Sequence, residues 1–327
     1  MNGPGCISVR PFELEDLEAA ADFGARARSE DEGVEPFAQR LAIIAEGPRA
    51  LLPLWRVAVG EDQDVYGISF AAVREARRAT EPARAGAGVD FQVEPGQPVG
   101  VPEAPRKSIE VYCAVAPALR RQGLARQLFE PLFEWARAEP NVQLRARVRE
   151  LPGQRFLEAH GFLKGPVQLS LARHGSPPAP RDAPGVTVKP LDRRDQRGLA
   201  TFKQLSLEAY ADAPESFESR ADELEQLLSD LGRLLLLGEL QGKPAGYLSG
   251  VWLGSTLAIE EVAVLPQARR YGVGRALCVE ALRRAGTSLL TVAEKNAAAR
   301  ALYKGLGYQQ VGRRVIYQWT AAPLEHP

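Results

Sequence analysis

The sequence predicts an α/β fold, a mixed sheet with helices on its faces, laid down twice along one chain. Three observations predict it. The stretch EEVAVLPQARRYGVGRAL at 260–277 has a weaker copy, CAVAPALRRQGLARQL, at 113–128. Pro117, Arg120, Arg121 and Gly123 match Pro266, Arg269, Arg270 and Gly272 at a constant offset of 149 (266 − 117). Each copy follows an apolar strand-like run and precedes a long amphipathic one, and a repeat of that kind fixes the architecture before any single element is assigned.

The repeat extends both ways. Downstream, HGF at 160–162 matches LGY at 306–308 at an offset of 146, and upstream ISVRPFELED at 7–16 matches VTVKPLDRRD at 186–195 at 179. The first half therefore holds 30 extra residues (179 − 149) before its Arg/Gly motif. They fall in a Pro-, Gly- and Ala-rich stretch, read as a long loop over 74–107. HGSPPAPRDAPG at 174–185 reads as the linker, because its Pro and Gly residues stop a helix or a central strand. The domains are then 1–173 and 186–327.

In the second half, Val186–Lys189 is the first strand, followed by two helical stretches within 192–230. Leu234–Glu239 and Ala245–Val251 form a hairpin with Gln241-Gly242 near its turn. Leu257–Val264 is the next strand, and Val273–Arg284 is a helix with apolar residues at Val273, Ala276, Leu277, Val279 and Leu282. A strand at Ser288–Ala293, a helix at Ala297–Leu306 and two closing strands from Tyr308 to Trp319 complete the order β-αα-β-β-β-α-β-α-β-β.

Composition narrows the function. A chain of 327 residues exceeds the ~150 expected of one domain, and 45% hydrophobic content lets each half bury its own core. Lys plus Arg equals Asp plus Glu, 41 each, so no nucleic acid or membrane partner is expected. Cys6, Cys113 and Cys278 are far apart, with no CxxC pair; neither a disulfide framework nor a zinc site is expected, and a reducing cytoplasm suits them. His160, His174 and His326 form no recognisable catalytic constellation. The N-terminus lacks the pattern of a signal peptide, and the longest apolar runs, such as Leu234–Leu237, are too short to span a bilayer.

The Arg/Gly motif has the parts of a metal-free diphosphate site. A helix N-terminus offers unpaired amide N–H groups and partial positive charge. Gly272 and Gly274 remove Cβ atoms that would hold the anion away, while Arg269 and Arg270 add charge at the rim. No G-x-x-x-x-G-K-[ST] string occurs, and the dinucleotide fingerprint would need a third Gly where Leu277 stands. The plain alternative is a strand-turn-helix corner with Gly for geometry and Arg for solubility. Recurrence of the motif as RRQGLA weighs against it.

The motif Arg269-Arg270-Tyr271-Gly272-Val273-Gly274, after a V-x-P strand end, resembles the acyl-CoA signature R-x-x-G-x-[GA] of the GNAT N-acetyltransferase superfamily. NAAARALYKGLGY downstream, DAPESF upstream and the element order are similar to that family too, so the resemblance covers nearly the whole chain as two tandem copies. It implies transfer of an acetyl group from acetyl-CoA, a cosubstrate, to a small-molecule or peptide amine without a metal. It implies that Val262, Ala263 and Val264 splay from the neighbouring strand and grip pantetheine, the Val264 amide polarising the thioester. Arg269 through Arg275 would hold the diphosphate and Asn296 the pantetheine arm. Tyr303 resembles the general acid. Glu260 is the candidate base, because it shares a strand face with Val262 and Val264 while Glu261 points the other way. The first-half counterparts are Cys113, Val115, Arg121, Gly123 and Ala125.

Each role has a structural competitor. Asn296 is also a good helix N-cap, Tyr303 a core aromatic beside Leu302 and Leu306, and Glu260 a solvated residue or ion-pair partner of an Arg. In the first half Leu157 stands in place of Tyr303 and Glu150 in place of Asn296, so that half is expected to bind or support rather than catalyse. A non-catalytic acyl-CoA-binding regulator is the alternative from another class. Asp212, Glu215, Glu218 and Asp222 would attract a cationic amine, or are simply a solvated face. Two fused copies suit a monomer as well as a homodimer.

Overall fold

The computed structural model of the chain describes residues 6–27, 41, 45, 51–74, 107–139, 142–179, 183–209, 228, 230 and 232–320. In the first half these form β1 (Ser8–Pro11), α1 (Leu17–Ala27), β2 (Arg56–Val59), β3 (Val65–Arg74), β4 (Lys107–Val115), α2 (Leu124–Ala138), β5 (Val142–Val148), α3 (Leu151–Ala159) and β6 (Leu163–His174). The second half repeats the order with β7 (Val186–Pro190), α4 (Gln196–Glu208), β8 (Arg233–Leu240), β9 (Lys243–Leu253), β10 (Thr256–Val264), α5 (Val273–Arg284), β11 (Thr287–Ala293), α6 (Ala297–Gly305) and β12 (Gln309–Thr320). The Gln241-Gly242 turn holds, with both residues left-handed (φ 52° and 74°), as a two-residue hairpin connection requires. The loop predicted over 74–107 (apart from its end residues), the stretch DAPESF and the four acidic residues at 212–222 lie outside the described residues.

The halves do not close independently. All twelve strands form one sheet in the order β1-β2-β3-β4-β5-β12-β6-β11-β10-β9-β8-β7. The last strand of each half crosses to the other: β12 pairs with β5 (Ile316 opposite Arg147), and β6 pairs with β11 (Leu171 opposite Leu290). The two exchanged strands pair with each other at the centre. This corrects two expectations. The run from 309 to 320 is one strand with two register shifts, not a pair of strands, and the partner predicted for it comes from the first half. Nor does each half bury its own core. Leu169 and Leu171 of β6 sit in the second-half core, while Val315 and Tyr317 of β12 sit in the first-half core.

Strand alternation then assigns the faces. Ile109 and Val111 of β4 pack with Phe129 and Phe133 of α2 and Leu157 of α3, whereas Tyr112 packs with Phe70 beside the α1 residue Phe23. In the second half α4 lies on the α1 face, its Phe202 ring 4.6 Å from Tyr247, while α5 and α6 lie on the α2 face.

Candidate acyl-donor site

The parallel pairing of β10 with β11 runs from Thr256–Thr287 to Ile259–Leu290 and stops. Beyond it Val262, Ala263 and Val264 remain paired with β9 alone, and Thr291–Ala293 with β6 alone, so the two strands part. The Leu265 N–H bonds the Ala245 carbonyl on the β9 side, 2.9 Å away. Backbone alternation therefore turns the N–H groups of Val264 and Val262 into the gap. The first half repeats this: β4–β5 pairing ends at Val111–Ala146, and the Ala116 N–H bonds Tyr66 at 2.8 Å, which turns Val115 and Cys113 toward the gap. Such an edge offers main-chain hydrogen bonds to an extended ligand.

The cradle follows directly. After a 3-10 turn at Pro266–Ala268, Arg270 (φ 69°) and Gly272 (φ 93°) both adopt left-handed backbone, and α5 begins. In the copy the turn is Pro117–Leu119, with Arg121 at 66° and Gly123 at 81°. A left-handed arginine costs about 1 kcal/mol, so its presence at both sites marks a conformation imposed by the loop. The first-turn N–H groups of Val273, Gly274 and Arg275 have no intrahelical acceptor and face the loop's concavity. The Val273 side chain packs into the second-half core. Residues 183–185 of the linker pass alongside: Ala183 Cβ lies 3.0 Å from where a Cβ on Gly272 would stand.

Two side chains expected to hold the diphosphate, Arg269 and Arg275, are engaged elsewhere. Arg269 folds back, Nε donating to the Val264 carbonyl at 3.2 Å and Nη2 to Ala209 at 3.3 Å. Arg120 does the same to Val115 at 3.2 Å. Arg275 donates to the Gly305 carbonyl at 3.0 Å, tying α5 to the end of α6. Arg270 and Tyr271 are exposed beside the loop. Gly274 does not clear space at the anion side; a Cβ there would meet Val264 at 3.4 Å and Leu302 at 3.6 Å, ordinary contact in the gap between β10 and α6.

The expected division between Glu260 and Glu261 fails because of a β-bulge. Ile259 pairs with Gly250 and Glu261 with Ser249, leaving Glu260 as the extra residue. A bulge breaks the period of two, so Val262 and Val264 share a face with Leu257 and Ile259, and both glutamates reach the α4 face. Glu260 forms an ion pair with Arg233, which also meets Asp230 at 3.1 Å. Glu261 accepts a hydrogen bond from the Tyr247 hydroxyl at 2.9 Å. The sequence signal for this missed pair was the EE doublet itself, two adjacent carboxylates in an otherwise alternating strand.

Asn296 caps α6, its Oδ1 accepting from the Ala299 N–H at 3.0 Å. Tyr303 is buried in the second-half core, edge-on to Tyr308 with centroids 5.6 Å apart. At the matching places in the first half, Leu157 is buried, and Glu150 makes a 2.8 Å ion pair with Arg120 instead of capping α3. Among the described residues no cluster of His, Cys, Asp and Glu is arranged to hold a metal, and no helix is long and apolar enough to cross a membrane.

Residues 83–162 and 200–308 match the acetyltransferase (GNAT) family, one stretch in each half. A mycothiol acetyltransferase from Salinispora arenicola (strain CNS-205) is 30% identical over 323 residues, covering 90% of each chain. A GCN5-related N-acetyltransferase from Sphaerobacter thermophilus shares the fold over 97% of this chain and 96% of its own, with a TM-score of 0.69 and 20% identity. A tandem GNAT protein from the clavulanic acid biosynthesis pathway does so over 98% and 100%, with a TM-score of 0.64 and 18% identity. The chain, two copies joined by exchanged strands, belongs to the acetyltransferase (GNAT) family.

Proposed function

We propose that the second half moves the acetyl group of acetyl-CoA directly to a primary amine held on the α4 side of β10. The observation that carries this reading is the parting of β10 from β11 beside a left-handed anion cradle, with the Val264 N–H turned into the gap. Acetyl-CoA fits the residues present and supplies an activated thioester. The amides of Val273, Gly274 and Arg275 and the charge of Arg270 receive its diphosphate. Val262 and Val264 pair with its amide-bearing arm, and the Val264 N–H stabilises negative charge on the carbonyl oxygen.

The attacking amine must lose a proton, and the bulge glutamates stand on the face from which it approaches. Glu261, held by Tyr247, and Glu260, held by Arg233, are the two candidate acceptors of that proton. Tyr303 protonates the departing thiolate, and Asn296 keeps α6 in place through its cap. The first half has no proton to give at Leu157 and serves to bind and to complete the sheet.

The test is thiol release from acetyl-CoA with a panel of amines. Tyr303→Phe keeps the ring and its packing, and is expected to lower kcat about 100-fold while leaving CoA binding intact. Glu260→Gln and Glu261→Gln, assayed separately, identify the base: the variant that loses it should turn over slowly at neutral pH and recover as rising pH deprotonates the amine itself. Full turnover by Tyr303→Phe together with a dead Arg121→Ala/Gly123→Ala variant would move the chemistry to the first half. Tight CoA binding with no thiol release on any amine would favour the regulator instead.

A further inference from the structure

One hydroxyl on the α4 face of the sheet is enclosed without a partner. Ser249 of β9 is fully buried, and its Oγ makes no hydrogen bond. Among the described residues the other buried serines are all bonded: Ser69 to the Leu128 carbonyl, Ser206 to that of Lys203, Ser288 to the Tyr308 hydroxyl and Ser170 to Arg314. A buried hydroxyl with nothing to bond destabilises a fold in a way that an alanine would not. One kept in such a place points to a partner that comes and goes.

The neighbour across the ladder is a carboxylate. Ser249 stands directly opposite Glu261, which sets their Cβ atoms about 5 Å apart on one face. Tyr247, two residues back along β9 on the same face, donates to Glu261 Oε2 at 2.9 Å. Glu261 thus has a donor to its ionised form and, beside it, a hydroxyl oxygen with its lone pairs unused. An ionised carboxylate has no proton to give that oxygen, but a carboxylic acid has one. The hydroxyl does not bond the carboxylate as it stands, so its use comes when Glu261 carries a proton.

The first half lacks the arrangement. At the matching places Phe70 stands opposite Tyr112, and Ile68 opposite Ala114 as Tyr247 stands opposite Ala263. The rings of Phe70 and Tyr112 stack 4.8 Å apart. β3 and β4 pair without a register shift, so the bulge at Glu260 has no counterpart either. The half with Leu157 in place of the tyrosine therefore has a ring stack where the other half keeps Ser249 and Glu261.

Resting on the acetyl-transfer reading above, we propose that Glu261 takes the proton of the attacking amine and that Ser249 is its positioning residue, accepting a hydrogen bond from the carboxylic acid so formed. The proton leaves the amine nitrogen for a Glu261 carboxyl oxygen, and the nitrogen lone pair bonds the acetyl carbon. The carbon–sulfur electron pair departs on the thiolate, which Tyr303 protonates. Glu260 stays in its ion pair with Arg233.

Ser249→Ala tests this in two ways. In thiol release from acetyl-CoA it should lower kcat about threefold or more with the KM for acetyl-CoA unchanged. The acid limb of kcat/KM should move down by about half a pH unit, because the protonated Glu261 loses its acceptor and gives up the proton more readily. Melting reads the contact without turnover. At pH 8 Ser249→Ala should raise the Tm by about 1–2 °C. In the Glu261→Gln background, where a side-chain amide donates to Ser249 in place of the acid, the same substitution should lower it. An unchanged kcat and pH profile in Ser249→Ala, or slow turnover by Glu260→Gln with none lost in Glu261→Gln, overturns the proposal and leaves acetyl transfer standing. Tm changes alike in both backgrounds overturn it too. Absence of thiol release with every amine would count against the acetyl-transfer reading, and the Tm comparison then decides the Ser249–Glu261 contact by itself.

Discussion

Arg269 Nε donates to the carbonyl of Val264 at 3.2 Å, and Arg120 holds Val115 at the same distance. The first arginine of the motif is therefore a clasp that fixes the end of the strand against the loop. A lysine has a single ammonium and cannot reproduce the fork that reaches both Val264 and Ala209. Arg269→Lys is expected to cost about 1 kcal/mol in denaturant melts and to raise the KM for acetyl-CoA. Arg270→Gly should do the reverse to stability, relieving a left-handed side chain by up to about 1 kcal/mol, while still weakening acetyl-CoA binding. An Arg269→Lys variant as stable as wild type would contradict the clasp, and an Arg270→Gly variant less stable than wild type would contradict the strain at Arg270.

The two glycines of the motif should separate in the same way. Gly272 has φ 93° and Ala183 beside it, so Gly272→Ala is expected to destabilise by about 1–2 kcal/mol. Gly274→Ala meets Val264 and Leu302 at ordinary contact distance and should leave the melting temperature unchanged; the copy has Ala125 at the matching position. Calorimetry on the two variants checks both.

Thiol reactivity follows from burial. Desolvation pushes the thiols of Cys113 and Cys278 up to about 12, with Arg275 pulling weakly the other way at Cys278, whereas Cys6 is exposed. Cys278 is buried and Cys113 half-buried, and at pH 8 thiols raised that far hold on the order of 0.01% thiolate. Mass spectrometry after iodoacetamide should find one label on the native protein, at Cys6, and three after unfolding.

At the far end of the sheet, Lys189 Nζ lies 2.6 Å from Glu239 Oε1 and joins β7 to β8. The hydrogen bond from Lys189 holds the Glu239 carboxyl below its ordinary range, with burial opposing and Thr187 assisting. A lowered carboxylate stabilises the fold above its unfolded value and loses that contribution as pH falls through the folded one. Because Lys189 is more than half exposed, the pair is worth less than about 1 kcal/mol. Urea melts should show Glu239→Gln slightly destabilised at neutral pH, with the gap to wild type closing below about pH 4.

Much of this was legible in the chain, for reasons that also explain the rest. The Arg/Gly loop and the Gln241-Gly242 turn depend on local backbone, and their residues announce the geometry. The strand Leu257–Val264 was legible, and with it the shared face of Val262 and Val264. Apolar alternation could not tell which strand lies alongside, so the crossing of β6 and β12 was invisible. Nor could it register the one-residue bulge at Glu260, which takes Glu260 off the face of Val262 and Val264 and puts it on the same face as Glu261. The direction of Arg269 was hidden for a similar reason: a long side chain reaches an anion or a carbonyl equally well, and only the placed carbonyl of Val264 decides.

The crossing has a bearing on synthesis. A chain emerging from the ribosome finishes β5 and β6 long before β12 exists, so the first half must wait with an open edge and an incomplete interior. Only when residue 320 appears can Tyr317 enter the cluster around Phe133. The sheet is thus expected to close only once β12 has been made, and the weakest moment for aggregation is the interval when one finished-looking half has no last strand.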